Sequence, residues 1–134
     1  MGEITKEVVQ RWLDGYVSAW KSYDPSEIGE LFTEDAIYHR NPKTVSARGR
    51  AAIVEFWLAE KELDVPGSYE GTYEPIAIEG NLAVAYGKTE FFAPDGALDT
   101  AYRNAWLMRF APDGRCTEFH ESYTWAPGPD QREP

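Results

Sequence analysis

Apolar residues recur at three- and four-residue spacing over roughly Thr5 to Ser22, placing Val9, Trp12, Leu13, Tyr16, Val17 and Trp20 on one side of a helix. In "YDPSEIGELF", Asp24 suits the N-cap of a second helix, Pro25 its first turn, and Glu27 the carboxylate of a capping box. The run "ARGRAAIVEFWLAEKEL" predicts a third helix, with Ile53, Phe56 and Trp57 on one side, Glu60, Lys61 and Glu62 towards solvent, and a stop before Pro66-Gly67.

From Ser68 onward the period changes from helical to alternating. "SYEGTYEPIAIEG", "LAVAYGKTEFF", "LDTAYRNAWLMRF" and "CTEFHESYTW" read as four strands, the first pair joined at Gly80-Asn81. "FAPDG" occurs twice, at Phe92 to Gly96 and Phe110 to Gly114. Pro presets the second turn position and Asp-Gly tolerates positive φ, so each copy predicts a tight connection between antiparallel strands. A shorter strand, "DAIYHRNP", leaves the second helix and ends at Pro42. Three helices followed by a meander predict an α+β domain in which a curved, mainly antiparallel sheet wraps around the helices. One domain is expected over 1–134, ordered over about 5–125, with 126–134 as a loose tail.

Composition narrows the chemistry. The formal charge of −10 repels phosphate backbones and anionic lipid, and the 13 Lys and Arg form no stripe, so nucleic acid and membrane are not expected as partners. Glu3, Lys6 and Glu7 interrupt the first apolar run, which excludes a signal peptide or membrane span there and points to a cytoplasmic protein. Cys116 is the single cysteine, and His39 and His120 are the two histidines. No zinc-type spacing exists, and no metal or cofactor is expected.

Strand alternation sorts the candidate residues. In the last strand Thr117, Phe119, Glu121, Tyr123 and Trp125 share an aromatic face, expected to be the inner one. Cys116, Glu118, His120, Ser122 and Thr124 share the other. Glu121 among aromatics would have its carboxyl pKa raised by desolvation and would fit a general acid or base; the alternative is a carboxylate at the pocket mouth paired with a basic residue such as Arg40. In the preceding strand Tyr102, Asn104, Trp106, Met108 and Phe110 form the apolar set, and Asn104 is either a ligand hydrogen-bonding group or a satisfied core amide. Over residues 37–41 alternation leaves two sets open, Tyr38 with Arg40 or Ile37 with His39 and Asn41.

The order helix, "LFTEDAIYH", "GRAAIVEFW", and a four-strand meander ending in "GRCTEFHESYTW" resembles the SnoaL-like branch of the nuclear-transport-factor-2-like superfamily, over about Thr5 to Trp125. The resemblance implies a conical α+β barrel with an internal apolar pocket, in a superfamily that hosts ketosteroid isomerases, polyketide cyclases, epoxide hydrolases, dehydratases and non-enzymatic association domains. It matches Glu121 to the acidic residue on the last strand of the cyclases, Glu for Asp, and Tyr16 to the oxyanion-hole tyrosine of the isomerases. It turns Tyr38 and Arg40 inward, and leaves His39 on the outer sheet as a solvated polar residue. The isomerase base falls on Arg40 or Asn41 and the second oxyanion acid near Trp106, so a steroid isomerase of that mechanism is disfavoured. A limonene-type epoxide hydrolase is disfavoured too, because the meander lacks its Arg and Asp pair.

The expectation is therefore a small-molecule pocket protein. In one reading it is a cofactor-independent lyase, isomerase or cyclase, with Glu121 and Tyr16 catalytic and Trp20, Tyr38, Arg40, Asn41, Trp57, Asn104, Trp106, Phe119 and Tyr123 binding a small apolar or aromatic ligand. In the other it is a non-catalytic ligand-binding or association domain whose aromatics, Trp12 included, fill or line the cavity. The resemblance also implies a homodimer through the outer sheet face, assigned Glu118, His120, Ser122, Thr124, Arg103, Arg109, Ala83 and Ala85.

Overall fold

The computed structural model of the protein describes residues 4–40, 44–63 and 68–125. Asn41, the Pro66-Gly67 stop and the 126–134 tail lie outside the described residues. The chain runs α1 (Lys6–Ser22), α2 (Pro25–Glu30), β1 (Phe32–His39), β2 (Ala47–Arg48), α3 (Arg50–Leu63), β3 (Ser68–Glu79), β4 (Leu82–Phe92), β5 (Leu98–Phe110) and β6 (Cys116–Trp125). Thr5 caps α1, its hydroxyl accepting from the Val8 N–H at 3.2 Å. Asp24 caps α2, accepting from Ser26 N–H at 2.9 Å. Glu27 does not close the expected capping box. It accepts from the Ser18 and Ser22 hydroxyls and so ties α2 to α1, while the Asp24 N–H donates to Ser22 Oγ at 3.1 Å. Ala47 and Arg48 are not part of the third helix but pair with Tyr38 and Ile37 as β2, and Gly49, at φ 88°, turns the chain into α3.

The six strands form one curved sheet in the order β2-β1-β6-β5-β4-β3. It is mixed: β3 to β6 make the expected antiparallel meander, while β1 joins β6 in parallel. The sheet does not close, and β2 and β3 are its edges. Both "FAPDG" copies have the same turn. Gly96 and Gly114 each adopt φ 89°, their N–H groups donate to Ala93 and Ala111, and Asp95 and Asp113 each accept from the N–H two residues on at 2.9 Å. The repeat is turn chemistry and nothing more.

The helices cover the inner face. Val9, Leu13 and Tyr16 of α1, Ile53 and Trp57 of α3, and Trp106, Met108 and Phe119 of the sheet are all nearly or fully buried. Phe119 lies at the centre, its ring centroid 5.0 Å from Tyr38, 5.2 Å from Trp106 and 5.9 Å from Tyr16.

Two face assignments need correction. A bulge at Thr117 sets Cys116 opposite Phe110 and Glu118 opposite Arg109, so Cys116 turns into the core and Thr117 leaves the inner set. Burial pushes the Cys116 thiol far up, which removes it as a nucleophile. Ala83 and Ala85, assigned to the outer face, stand opposite Met108 and Trp106 and are buried on the inner one. An alanine is too small and too weakly apolar to declare its face.

On the outer face Tyr86 and Leu107 are exposed. His39 lies on this face but is not solvated: it is 8 % exposed and bonded to Glu118. Among the described residues no helix is long and apolar enough to cross a membrane. Because the Phe119 ring fills space shared by α1, β1 and β5, Phe119→Ala should cost about 3–5 kcal/mol in urea unfolding. A loss under about 1 kcal/mol would mean that the core closes over the gap.

Candidate functional site

Trp106 in β5 and Glu121 in β6 are paired in register, as are Asn104 and Tyr123. Alternation puts these residues on the inner face with Phe119, at the end of the sheet where β3 and β5 begin and β4 and β6 end. Tyr69 and Tyr73 of β3 and Thr89 of β4 share that face. They form a hydrogen-bonded chain: Tyr69 Oη to Tyr73 Oη at 2.9 Å, Tyr73 Oη to Thr89 Oγ1 at 2.6 Å, and Thr89 Oγ1 donating to Asn104 Oδ1 at 2.8 Å. A hydroxyl has one proton. With Thr89 donating to Asn104, Tyr73 donates to Thr89 and Tyr69 to Tyr73, which leaves the Tyr69 oxygen as the chain's accepting end.

Two glycines make room for these rings. A Cβ on Gly87 would stand 1.9 Å from Tyr73 Cδ1, and one on Gly71 would stand 2.4 Å from Tyr69 Oη. Any side chain at either position would displace the tyrosines. Gln10 of α1 donates from Nε2 to the Tyr73 carbonyl at 3.2 Å, fixing the helix over the same strand.

Glu121 is half-buried, and its charge acts on three phenols at once. Tyr16 is 3 % exposed, and burial holds its hydroxyl proton to pH values well above the ordinary tyrosine range, reinforced by Tyr38, Glu121, Tyr73 and Tyr69. Burial raises Tyr69 as well, with Tyr73 and Glu121 adding to it. Burial also raises Tyr73; its hydrogen bonds to Thr89 and Tyr69 pull it back, Glu121 pushes it up, and it rests at about 12. Glu121 thus stands among phenols that stay protonated.

The other expected site residues divide between this end and the aromatic core. Tyr38 faces inward and is buried, its ring tilted against Phe56 at 5.4 Å, while His39 lies on the outer face, which settles the alternation for these two residues. Tyr16 packs on Trp106 at 4.5 Å and on Trp57 at 5.2 Å, and Trp20 stacks on Trp57 at 4.5 Å. Among the described residues the indole N–H groups of Trp57 and Trp106 are buried with no hydrogen-bond partner, two donors facing an apolar interior. Arg40 sets its guanidinium 5.7 Å from the Phe56 ring centroid, and the Arg40 backbone N–H donates to Ser46 Oγ. Asn104 Oδ1 is engaged by Thr89. Tyr123 is 41 % exposed and meets Tyr102 edge-on at 5.2 Å.

Tyr69, Tyr73 and Thr89 were not among the expected site residues. Their signal lay in the pattern Tyr69-x-Gly71-x-Tyr73 on one parity of β3, opposite Gly87 and Thr89 on β4. Glycines paired against aromatics mark rings that lie across a sheet. Among the described residues, the one cluster with metal-ligand donors, His39, Glu118 and His120, is on the outer face.

A family model described as the SnoaL-like domain matches residues 9–119. No curated protein matches the chain significantly. Among solved structures, a candidate SnoaL-like polyketide cyclase from Shewanella denitrificans OS-217 is similar with a TM-score of 0.66 at 18 % identity, over 86 % of this chain and 89 % of that one. An uncharacterised protein with a cystatin-like fold from Caulobacter vibrioides gives 0.64 at 22 %, over 92 % and 90 %. The Δ5-3-ketosteroid isomerase of Mycobacterium sp. gives 0.62 at 17 %, over 89 % and 98 %. At these identities the likeness is one of fold.

The raised phenols set an alkaline limit. The unfolded chain releases tyrosine protons near pH 10.0 while the native state keeps them. Their stabilisation is complete below that pH and is lost as pH climbs towards and through the native values, about 12 for Tyr73. The melting temperature should therefore fall between about pH 10 and about pH 12, and fall less in Tyr16→Phe. Equal slopes in the two proteins would show that Tyr16 is not buried as a protonated phenol.

Proposed function

The chain belongs to the SnoaL-like domain family, and from that premise we propose that it is a cofactor-independent acid–base catalyst acting on a small apolar carbonyl compound, with Glu121 moving the proton. The observation that carries the reading is the joint action of Glu121 on the Tyr16, Tyr69 and Tyr73 phenols. A general base works best beside groups that stabilise the charge it creates.

The Glu121 carboxylate takes a proton from the carbon next to the ligand's carbonyl. The electron pair moves through that carbon to the carbonyl oxygen, which becomes an enolate and accepts a hydrogen bond from a neutral phenol. Tyr16 is the donor, because the Tyr69 and Tyr73 protons are already committed along the chain that ends on Asn104. Low local dielectric strengthens that bond, and a phenol whose proton is held above its usual range is not lost to solvent base. Returning the proton to a different carbon isomerises the compound. Alternatively, attack of the enolate carbon on a second carbonyl closes a ring, the π electrons of that carbonyl pass to its oxygen, and this oxygen takes the proton back from Glu121. The Trp57 and Trp106 indole N–H groups are further donors for a polar atom of the ligand, and the aromatic core supplies its apolar contacts.

The ketosteroid isomerase among the structural relatives names one such enolising reaction. In this chain the position corresponding to that enzyme's base is Arg40 or Asn41, so the proton carrier moves to β6.

A panel of steroid, terpenoid and aromatic polyketide-like ketones, scored by thermal shift, identifies a ligand; at about a hundred times its dissociation constant the expected gain is about 2.7 kcal/mol. Exchange of its α-protons in heavy water then reads the chemistry. Glu121→Gln should keep the thermal shift and slow the exchange by about 10²–10⁴-fold. Exchange equally fast in both proteins removes Glu121 from the reaction, and a ligand that shifts the melt with no catalysed exchange reduces the protein to a binding domain.

A further inference from the structure

On the sheet face opposite the tyrosines, β1 and β6 run parallel with His39 and His120 in register. That register stacks the two imidazoles, with centroids 4.0 Å apart and planes inclined by 5°. Glu118 precedes His120 on the same face of β6, and its Oε2 lies 3.1 Å from the Nε2 of each histidine. All three donor atoms fall within 4.8 Å of one another. We propose that His39, Glu118 and His120 form a site for one divalent transition-metal ion of the zinc class, bridging β1 and β6.

The donor set and the distances both fit. Two imidazole nitrogens and one carboxylate oxygen suit zinc, nickel or copper rather than magnesium or calcium. Ligands about 2.0–2.1 Å from a tetrahedral zinc stand roughly 3.3 Å from each other, close to both nitrogen–oxygen separations seen here. The His120 and Glu118 side chains are 27 % and 30 % exposed, against 10 % for His39, so one side of the cluster stays open for a water or a further ligand.

Charge favours a cation as well. Of the two Glu118 carboxylate oxygens, Oε2 is the one beside both histidines. Arg109 Nε approaches the other oxygen, Oε1, at 3.8 Å and leaves Oε2 to face the imidazoles. The formal charge of −10 concentrates cations around the protein. Without an ion the two imidazoles share a single carboxylate oxygen. Because stacked rings have parallel lone pairs, metal binding requires an imidazole to turn about its Cβ–Cγ bond, and the more open His120 is the one with room to do so.

The site is separate from the inner face, and its test does not use turnover. Tag-free protein is titrated with Co²⁺, followed by the visible bands of a tetrahedral ion, and then with Zn²⁺ in competition. One ion per chain is expected, and Zn²⁺ should raise the melting temperature. His120→Ala and the near-isosteric Glu118→Gln should each weaken binding by at least about tenfold and abolish the thermal gain. If His120→Ala fails to fold, Glu118→Gln decides. Affinity unchanged in the folded variants, or wild-type protein that takes up less than one ion per chain, would overturn the proposal and leave the cluster as a hydrogen-bonded trio that fastens two strands.

Discussion

Tyr16, Trp106 and Phe119 come from α1, β5 and β6, and their rings meet with centroids 4.5 to 5.9 Å apart. Everything else in the molecule hangs on that contact. It fixes the first helix across the curved sheet, and Tyr38 and Trp57 extend it to β1 and α3. Aromatic rings bury large areas in few rotamers, so a core built from them sets the spacing of sheet and helices with little freedom left. The same packing encloses the Tyr16 hydroxyl, and burial is the first cause of its raised pKa. Stability and candidate chemistry share one origin here.

The polar groups of the inner face follow from that enclosure. A buried hydroxyl must find a partner, and Tyr69, Tyr73, Thr89 and Asn104 satisfy one another in a chain. Gly71 and Gly87 supply the space in which the two tyrosine rings lie over the sheet. Glu121 adds a negative charge to this setting, and the phenols respond by holding their protons more tightly. One environment thus sets a negative charge among phenols that keep their protons.

Strand β6 serves both faces of the sheet. Phe119 and Glu121 point to the enclosed side, while Glu118 and His120 point to the other and join His39. A period of two allows adjacent residues to take part in unrelated chemistry without competing for space. The Thr117 bulge makes this possible while still sending Cys116 into the core, because one inserted residue resets the parity before Glu118.

Local pattern determined the elements: the apolar stripe of α1, the caps at Thr5 and Asp24, the Asp-Gly turns and the alternation along β5 are short-range effects that a neighbouring residue or two suffices to enforce. Alternation also carried Glu121 and the aromatic set to one face. Tertiary structure decided what depends on pairing between distant segments. The parallel junction of β1 with β6 brings His39 to residues 79 or more positions away, which no spacing rule detects. Ala83 and Ala85 took their face from the register of β4 on β5, since an alanine side chain states no preference. Tyr69, Tyr73 and Thr89 became one chain of hydrogen bonds because β3 and β4 align them, and their hydroxyls are chemically ordinary until burial and Glu121 act on them together. Sequence sets which groups exist and which way each strand residue alternates; the fold sets which of them meet, and desolvation at that meeting gives them their chemistry.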